Sequence, residues 1–218
     1  MNWEMYKQLK EASRVMLEEE RGYSEKEAYF MQRTRAHIQR VKDAAQKIVA
    51  VYPEFGGLIS QVASHDESKF SEPERTPYIE LTWQHAHDGW KSYKTPGTID
   101  DGSINRATLH HVFTNAHHPE FYNKAKANID SSNRDTAAVA FAVDAMPDID
   151  LIHMVADWEA MSEELGTNTA RQWFNSKRNT RWIFSPHQEE LIDKLLRVFE
   201  GTSEKDLASP SHEKGDIT

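Results

Sequence analysis

Cysteine is absent from this sequence of 218 residues. Its absence excludes disulfide bridges, thiolate zinc sites, iron–sulfur clusters and a cysteine nucleophile. The sequence also lacks any run of about 18 apolar residues, so we expect no membrane-spanning segment. No apolar h-region follows the first residues, which predicts that the chain carries no secretory signal and stays in the cytoplasm. Any transition-metal site in such a chain has to be built from histidine and carboxylate groups.

Positive residues are fewer than negative ones, 26 against 35, and this balance limits the classes of partner. The formal net charge is −9 at pH 7, which argues against strong general binding to nucleic-acid backbones. Histidine, in contrast, is abundant, with 11 residues in the chain. The abundance of histidine therefore favours a metal-binding function. The composition does not indicate the oligomeric state.

Glycine and β-branched runs are sparse, whereas Glu, Gln, Lys, Ala and Met are frequent, so we predict an all-α fold. Periodicity and capping signals predict helices over about 1–20, 24–52, 55–63, 71–89, 104–118, 147–165, 168–178 and 186–200. Gly22 and Gly166 are expected to end two of these helices. Loops are predicted over 94–103 and 123–135. We expect one domain over 1–200 with its core at 24–166, followed by a disordered tail over 201–218.

Several polar side chains fall on helix faces that should be buried. In the predicted helix 147–165, Asp150, His153 and Asp157 lie within about 60° of one another, opposite the charged face. His37 lies within the apolar stripe of the helix 24–52. A buried carboxylate requires an ion-pair partner, hydrogen bonds or a metal ion. Taken singly, each of these residues is equally compatible with a structural role.

His65 and Asp66 follow the short apolar helix 55–63, so an imidazole and a carboxylate leave its end together. Such a doublet can place one nitrogen and one oxygen on the same divalent ion. With His37 before it and Asp157 after it, the doublet predicts a metal site that joins distant parts of the chain.

The order of His37, the His65-Asp66 doublet and Asp157 resembles the HD superfamily of metal-dependent phosphohydrolases. The doublet with Lys69 resembles the H-D-x-x-K form of the HD-GYP branch, in which paired histidines similar to His117-His118 serve an additional metal. The Gly-Tyr-Pro element of that branch is absent. The combination H-D-x-S-K-F, N-x-H-H-P-E and A-D-W is similar to a narrower HD-like group common in tailed phages and bacteria, which implies the host cytoplasm for a phage-encoded member.

This resemblance implies an HD-like helical bundle with a metal site in its centre. The implied metal ligands are His37, His65, Asp66, His111, His117, His118 and Asp157. His111, Asn115 and His118 share one face if their helix continues, and His85 competes with His111 for one place. The implied catalytic residues are Asp66 and Lys69, with Lys69 holding a phosphoryl oxygen and Arg33 and Arg40 as weaker candidates for that role. The histidines without a firm assignment are His87, His110, His153 and His187, and His212 lies in the predicted tail.

The implied function is hydrolysis of a small phosphate ester, with a nucleotide as the expected substrate. One or two divalent transition ions would serve it, and the donor types favour Mn, Fe, Co, Ni or Zn over Mg. The aromatic residues able to stack on a base are Trp83, Trp90, Tyr93, Trp173 and Trp182. Two alternatives remain open: an HD-type di-iron oxygenase, and a non-catalytic binding protein stabilised by its metal.

Overall fold

The computed structural model describes residues 3–88, 101–124 and 140–201. The described α-helices are α1 (Trp3–Val51), α2 (Leu58–Gln61), α3 (Arg75–Asp88), α4 (Asp101–Thr114), α5 (Asp148–Leu165), α6 (Ala170–Lys177) and α7 (Pro186–Phe199). Short 3₁₀ helices cover Pro53–Phe55, Val62–Ser64, Glu67–Phe70 and Pro119–Tyr122. Strand β1 (Phe141–Ala142) pairs in parallel with β2 (Trp182–Ile183), Phe141 lying opposite Trp182. The predicted all-α class is confirmed.

Helix α1 is continuous where the sequence predicted two helices. Gly22 was expected to end the first helix and Ser24 to cap the second, but both are helical. A glycine inside an exposed helix costs only about 1 kcal/mol relative to alanine, and the flanking Glu, Lys and Ala residues favour helix. Helix α1 is long but rich in charged residues. No helix in the described ranges is long and apolar enough to cross a membrane.

The helices after residue 147 follow the predicted boundaries closely. Pro147 precedes α5, and Gly166 ends it with a φ of 61°, in the left-handed region that glycine adopts without strain. Helices α6 and α7 each begin with a capping box, formed by Thr169 with Gln172 and by Ser185 with Gln188.

The middle of the chain departs from the predicted boundaries. Helix α4 begins at Asp101 and ends at Thr114, so His117 and His118 lie on the turn that follows it and not on the helix. The side chains of Thr114 and Asn115 end α4 by donating to the carbonyl oxygens of His110 and His111, at 2.7 and 2.8 Å. Most of the predicted loops and all of the predicted tail except Gly201 lie outside the described residues.

Two hydrophobic clusters pack along α1. The larger one joins α1 to α5 and α7 through residues such as Ile48, Leu151 and Ile192. The smaller one contains Phe30 of α1 and residues of α3 and α4. On α1, buried His37 lies between Phe30 of the smaller cluster and Val41 of the larger one. The buried imidazole of His37 therefore lies at the junction between the two clusters.

Candidate metal centre

Buried histidine and aspartate side chains converge at this junction in three overlapping groups. Within each group, one candidate ligand atom from every residue lies within 4.8 Å of the others. We define the first donor group as His37, His65 and Asp157, the second as Asp66, His111, His117 and His118, and the third as His65, His117 and His153. All seven implied metal ligands are thus brought together, and His153 joins them.

The turn after α2 aims the His-Asp doublet inward. The 3₁₀ helix Val62–Ser64 ends at His65, and Asp66 has a φ of 58°, in the left-handed region that aspartate tolerates better than most residues. This reversal buries two consecutive side chains, each residue being 2 % exposed. The backbone thus directs both the imidazole of His65 and the carboxylate of Asp66 toward the centre.

Asp66 belongs to the second donor group, and its carboxylate also lies beside the first. Its Oδ2 faces the first group, 3.4 Å from His65 Nε2 and 4.0 Å from His37 Nε2. Its Oδ1 faces the second group, 3.4 Å from His111 Nε2 and 3.6 Å from His117 Nε2. One carboxylate with an oxygen toward each group is the arrangement that lets a single residue bridge two cations.

Asp157 completes the first donor group from α5. Its Oδ1 lies 2.9 Å from His37 Nε2 and 3.6 Å from His65 Nε2. The two imidazole nitrogens are themselves 3.2 Å apart. Two helices and one turn, distant in sequence, therefore present one oxygen and two nitrogens to a common point.

A polar atom of another residue lies within 3.3 Å of the outer nitrogen of three histidines, whose Nε2 atoms face the centre. His111 Nδ1 lies 2.9 Å from a carboxylate oxygen of Glu74, and His37 Nδ1 lies 3.3 Å from one of Glu164. His65 Nδ1 lies 2.9 Å from His153 Nε2. Partners of this kind fix the orientation of metal-binding histidines. None of these three partners was among the ligands predicted from the sequence.

Several donor atoms at the centre have no hydrogen-bond partner although they are buried. They are Asp66 Oδ1, His117 Nε2 and His118 Nε2 of the second donor group, and His37 Nδ1 of the first. An unsatisfied buried polar atom costs about 1–3 kcal/mol, and native proteins contain few of them. Three such atoms in one group of nitrogen and oxygen donors are explained by a cation, so the residues present fit a divalent transition metal.

The protonation states of the group also suit metal binding. Burial, aided by neighbouring imidazoles, lowers the pKa of His65 and of His117 to about 3. Burial opposes ionisation of Asp66 and Asp157, but the neighbouring imidazoles, together with the Lys69 ammonium at Asp66, outweigh it and hold the pKa of each carboxyl below its usual range. Neutral imidazoles and ionised carboxylates are the forms in which these side chains bind metals.

His37 is the exception. Burial disfavours its charged form, but the neighbouring carboxylates of Asp157 and Glu164 outweigh burial and raise the pKa of its imidazole to about 9. Arg33 Nη2 lies 2.5 Å from Glu164 Oε1, and Arg40 Nη1 lies 3.5 Å from Glu164 Oε2. The two arginines considered as phosphate-binding candidates therefore contact this carboxylate.

Lys69, one of the two implied catalytic residues, lies at the centre and contacts the carboxylate of Asp66. Its Nζ is 2.5 Å from Asp66 Oδ2. Burial disfavours the charge, yet the neighbouring carboxylate of Asp66 raises the pKa of Lys69, so the side chain remains an ammonium. It is the cation nearest to Asp66 among the described residues.

A cavity of about 440 Å³ opens onto the donor groups. Its lining includes His37, Asp66, Lys69 and Asp157 of the centre. It also includes the aromatic side chains of Tyr78, Trp158, Trp173 and Trp182. Its size lies within the range of small-molecule sites.

Other predicted residues lie elsewhere. His85 lines the cavity but belongs to none of the donor groups found among the described residues. His87 contacts the carbonyl oxygen of Trp83, and His187 contacts Asp148 at an exposed position. Of the aromatic residues considered for base stacking, Trp173 and Trp182 line the cavity, whereas Trp90 and Tyr93 lie outside the described residues. His212, in the predicted tail, also lies outside them.

Asp150 has a structural role of the kind that the sequence left open. Its carboxylate accepts hydrogen bonds from Gln61 and from the hydroxyl of Tyr122. It joins none of the donor groups, although it shares a helix face with His153 and Asp157. The shared helix face correctly predicted that His153 points inward but left its role unassigned, while nothing in the sequence pattern marked Glu74 or Glu164.

Comparison with known proteins gives one match. The model of a protein family, described as a family of unknown function (DUF5662), matches residues 26–198. No curated protein and no solved structure matches the chain. The matched region contains every residue of the three donor groups.

Proposed function

The chain belongs to the DUF5662 family of unknown function, and we propose that it is a metal-dependent phosphohydrolase acting on a small phosphate ester. The observation that carries this proposal is the Asp66 carboxylate, which has one oxygen toward each of two donor groups beside a cavity. The order of His37, His65-Asp66 and Asp157, which resembles the HD superfamily, supports the same activity.

The donor groups contain imidazoles and carboxylates and lack thiolates. Such donors suit Mn, Fe, Co, Ni or Zn better than Mg. Two ions held by the first and second donor groups would polarise a phosphoryl oxygen and lower the pKa of a bound water. His37, His65 and Asp157 would hold one ion, and His111, His117 and His118 the other, with Asp66 between them.

Lys69 supplies positive charge at the position where a phosphoryl group would lie. Its ammonium is held at the metal centre by Asp66 and lines the cavity. A point charge of this kind can bind a phosphoryl oxygen and stabilise the negative charge that develops on it.

The cavity favours a substrate with an organic group of moderate size. Its volume is about 440 Å³, and aromatic side chains contribute to its lining. Trp173, half-buried in the cavity lining, can stack on a planar ring, which supports a nucleotide as the substrate. Trp182 also lines the cavity, but its ring is buried against Trp158 and Arg181. A nucleotide would place its phosphate at Lys69 and its base toward Trp173.

Activity assays after metal reconstitution test this proposal. Protein purified without a chelator or a histidine tag would be loaded separately with Mn²⁺, Co²⁺, Ni²⁺ and Zn²⁺ and assayed against nucleoside phosphates and simple phosphate esters. We expect phosphate release that His65→Ala abolishes and His187→Ala leaves unchanged, because His187 is exposed and remote from the donor groups. Bound metal without turnover of any ester would refute hydrolysis and favour a non-catalytic metal site.

An HD-type di-iron oxygenase is the second candidate. The bridging carboxylate and the imidazole-rich donors on both sides of it also suit a pair of iron ions. Two irons in the native protein together with substrate-dependent oxygen consumption would establish this function. Turnover with Mn²⁺ or Co²⁺ in the absence of oxygen would exclude it.

A further inference from the structure

Glu74 is a fully buried carboxylate next to the second donor group. It lies just before α3, and its side chain is 0 % exposed. Burying an ionised carboxylate is costly unless hydrogen bonds compensate it. Its position therefore requires donors from the surrounding elements.

Three side chains supply these hydrogen bonds. His111 Nδ1 and His110 Nδ1 lie 2.9 and 2.6 Å from its two oxygens. Ser68 Oγ, from the turn that carries His65 and Asp66, donates to Oε2 at 3.1 Å. These contacts compensate the burial of the Glu74 carboxylate, which accepts all three hydrogen bonds.

The hydrogen bond from His111 to Glu74 determines which ring nitrogen of His111 carries the proton. An ionised carboxylate only accepts, so Nδ1 of His111 carries the proton that it donates to Glu74. In a neutral imidazole the other nitrogen then has a free lone pair. That nitrogen, Nε2, lies 3.4 Å from Asp66 Oδ1, inside the second donor group.

The same contacts join the elements that carry the second donor group. Asn115 follows α4, and its Nδ2 donates to Ser68 Oγ at 2.8 Å. Ser68 in turn donates to Glu74. The start of α3, the end of α4 and the His-Asp turn are therefore tied together around one carboxylate.

We propose that Glu74 is a positioning residue that holds His111 in the tautomer and orientation needed to bind a divalent transition ion through Nε2. This inference rests on the metal binding that the proposed function requires. Glu74 itself belongs to none of the donor groups, so it acts through His111.

Cobalt titration of Glu74→Gln tests the proposal. Glutamine keeps the shape, but its amide can accept through one oxygen only, so one of the two histidines loses its acceptor. We expect the affinity for one of two Co²⁺ equivalents to fall about 10–100-fold, with the other equivalent nearly unchanged. Glu72→Gln is the matched control, because Glu72 is exposed and contacts only Thr76 among the hydrogen bonds described.

A second measurement needs no variant and covers the case in which Glu74→Gln does not fold. Nitrogen chemical shifts of the metal-free wild-type protein should show His111 as the Nδ1–H tautomer. An Nε2–H tautomer, or a Glu74→Gln protein that folds and binds cobalt as the wild type does, would overturn the role of Glu74. Wild-type protein that binds no cobalt would overturn the proposed function as well, so the two failures are distinguishable.

Discussion

At the scale of single residues, the candidate centre depends most on Asp66. Its two oxygens face different donor groups, and Oδ2 also contacts Lys69. No other carboxylate among the described residues contacts imidazoles of both groups at these distances. Loss of its charge should therefore weaken metal binding at both donor groups.

Asp66→Asn should remove most of the metal binding. The amide keeps the size of the side chain but replaces one acceptor oxygen with a donor, so we expect affinity for both ions to fall at least about 100-fold. Glu67→Gln, at the exposed neighbouring position, is the control. Metal competition with a chromophoric chelator measures the change, and wild-type affinity in Asp66→Asn would contradict a bridging role.

His37 should release a proton when metal binds. With a pKa raised from 6.5 to about 9, its imidazole is charged at pH 7 in the metal-free protein. The stability that this charge provides is complete below about pH 6.5 and is lost as the pH rises through 9. Metal binding requires the neutral ring, so affinity should rise over the same interval.

Calorimetric titration at pH 7 in buffers of different ionisation enthalpy measures this proton. We expect wild-type protein to release about one proton more than His37→Gln, because the pKa values of His65 and His117 leave both rings neutral already. Equal proton release by the two proteins would contradict the assignment of His37 as a ligand.

The sequence was sufficient to identify the residues that converge, but not the residues that hold them. Order and helix face pointed to His37, His65, Asp66 and Asp157. Glu74 and Glu164 could not be found in this way, because each contacts a histidine from another helix. Such contacts depend on how helices pack, and no local period encodes them.

At the scale of secondary structure, two glycines have opposite roles. Gly22 lies inside α1, and a Cβ there would meet nothing within 4 Å. Gly166 ends α5 with a positive φ, which side chains other than glycine adopt at a cost. Only the second glycine is required by the backbone.

Alanine at these positions should therefore shift stability in opposite directions. Gly22→Ala should stabilise the adjoining turns of α1 by roughly 0.5–1 kcal/mol, seen as slower amide hydrogen exchange. Gly166→Ala should lower the free energy of unfolding in urea by about 1 kcal/mol. Faster exchange around position 22 in Gly22→Ala would indicate a break in α1.

The helix ends that were predicted correctly carry local signals. Pro147 and Gly166 delimit α5, and their conformational preferences depend only on the backbone next to them. The continuity of α1 was missed because Gly22 has the same local signal whether the helix ends or continues. Neighbouring helix propensity decides between these outcomes, and it outweighs the cost of one glycine.

At the scale of the whole molecule, the candidate centre joins the two hydrophobic clusters. The first donor group brings α1 and α5 together with the His-Asp turn, and the second adds the end of α4. Buried side-chain atoms without hydrogen-bond partners lie where these elements meet. A bound ion should therefore stabilise the fold in addition to any catalytic role.

Removal of metal should lower the melting temperature. An ion present at 100 times its dissociation constant stabilises the native state by about 2.7 kcal/mol. For a chain of this size that corresponds to roughly 5–10 °C, measured by calorimetry before and after chelation. Restoration by Co²⁺ or Mn²⁺ is expected, while an unchanged melting temperature after verified chelation would contradict a structural contribution of the ion.

The most direct test of the central claim is the metal content of wild-type protein purified without a chelator or a histidine tag. Elemental analysis should find about two divalent transition ions per chain, and Asp66→Asn prepared in parallel should contain few or none. Wild-type protein that contains no such metal, and takes up none when transition ions are supplied, would contradict the account.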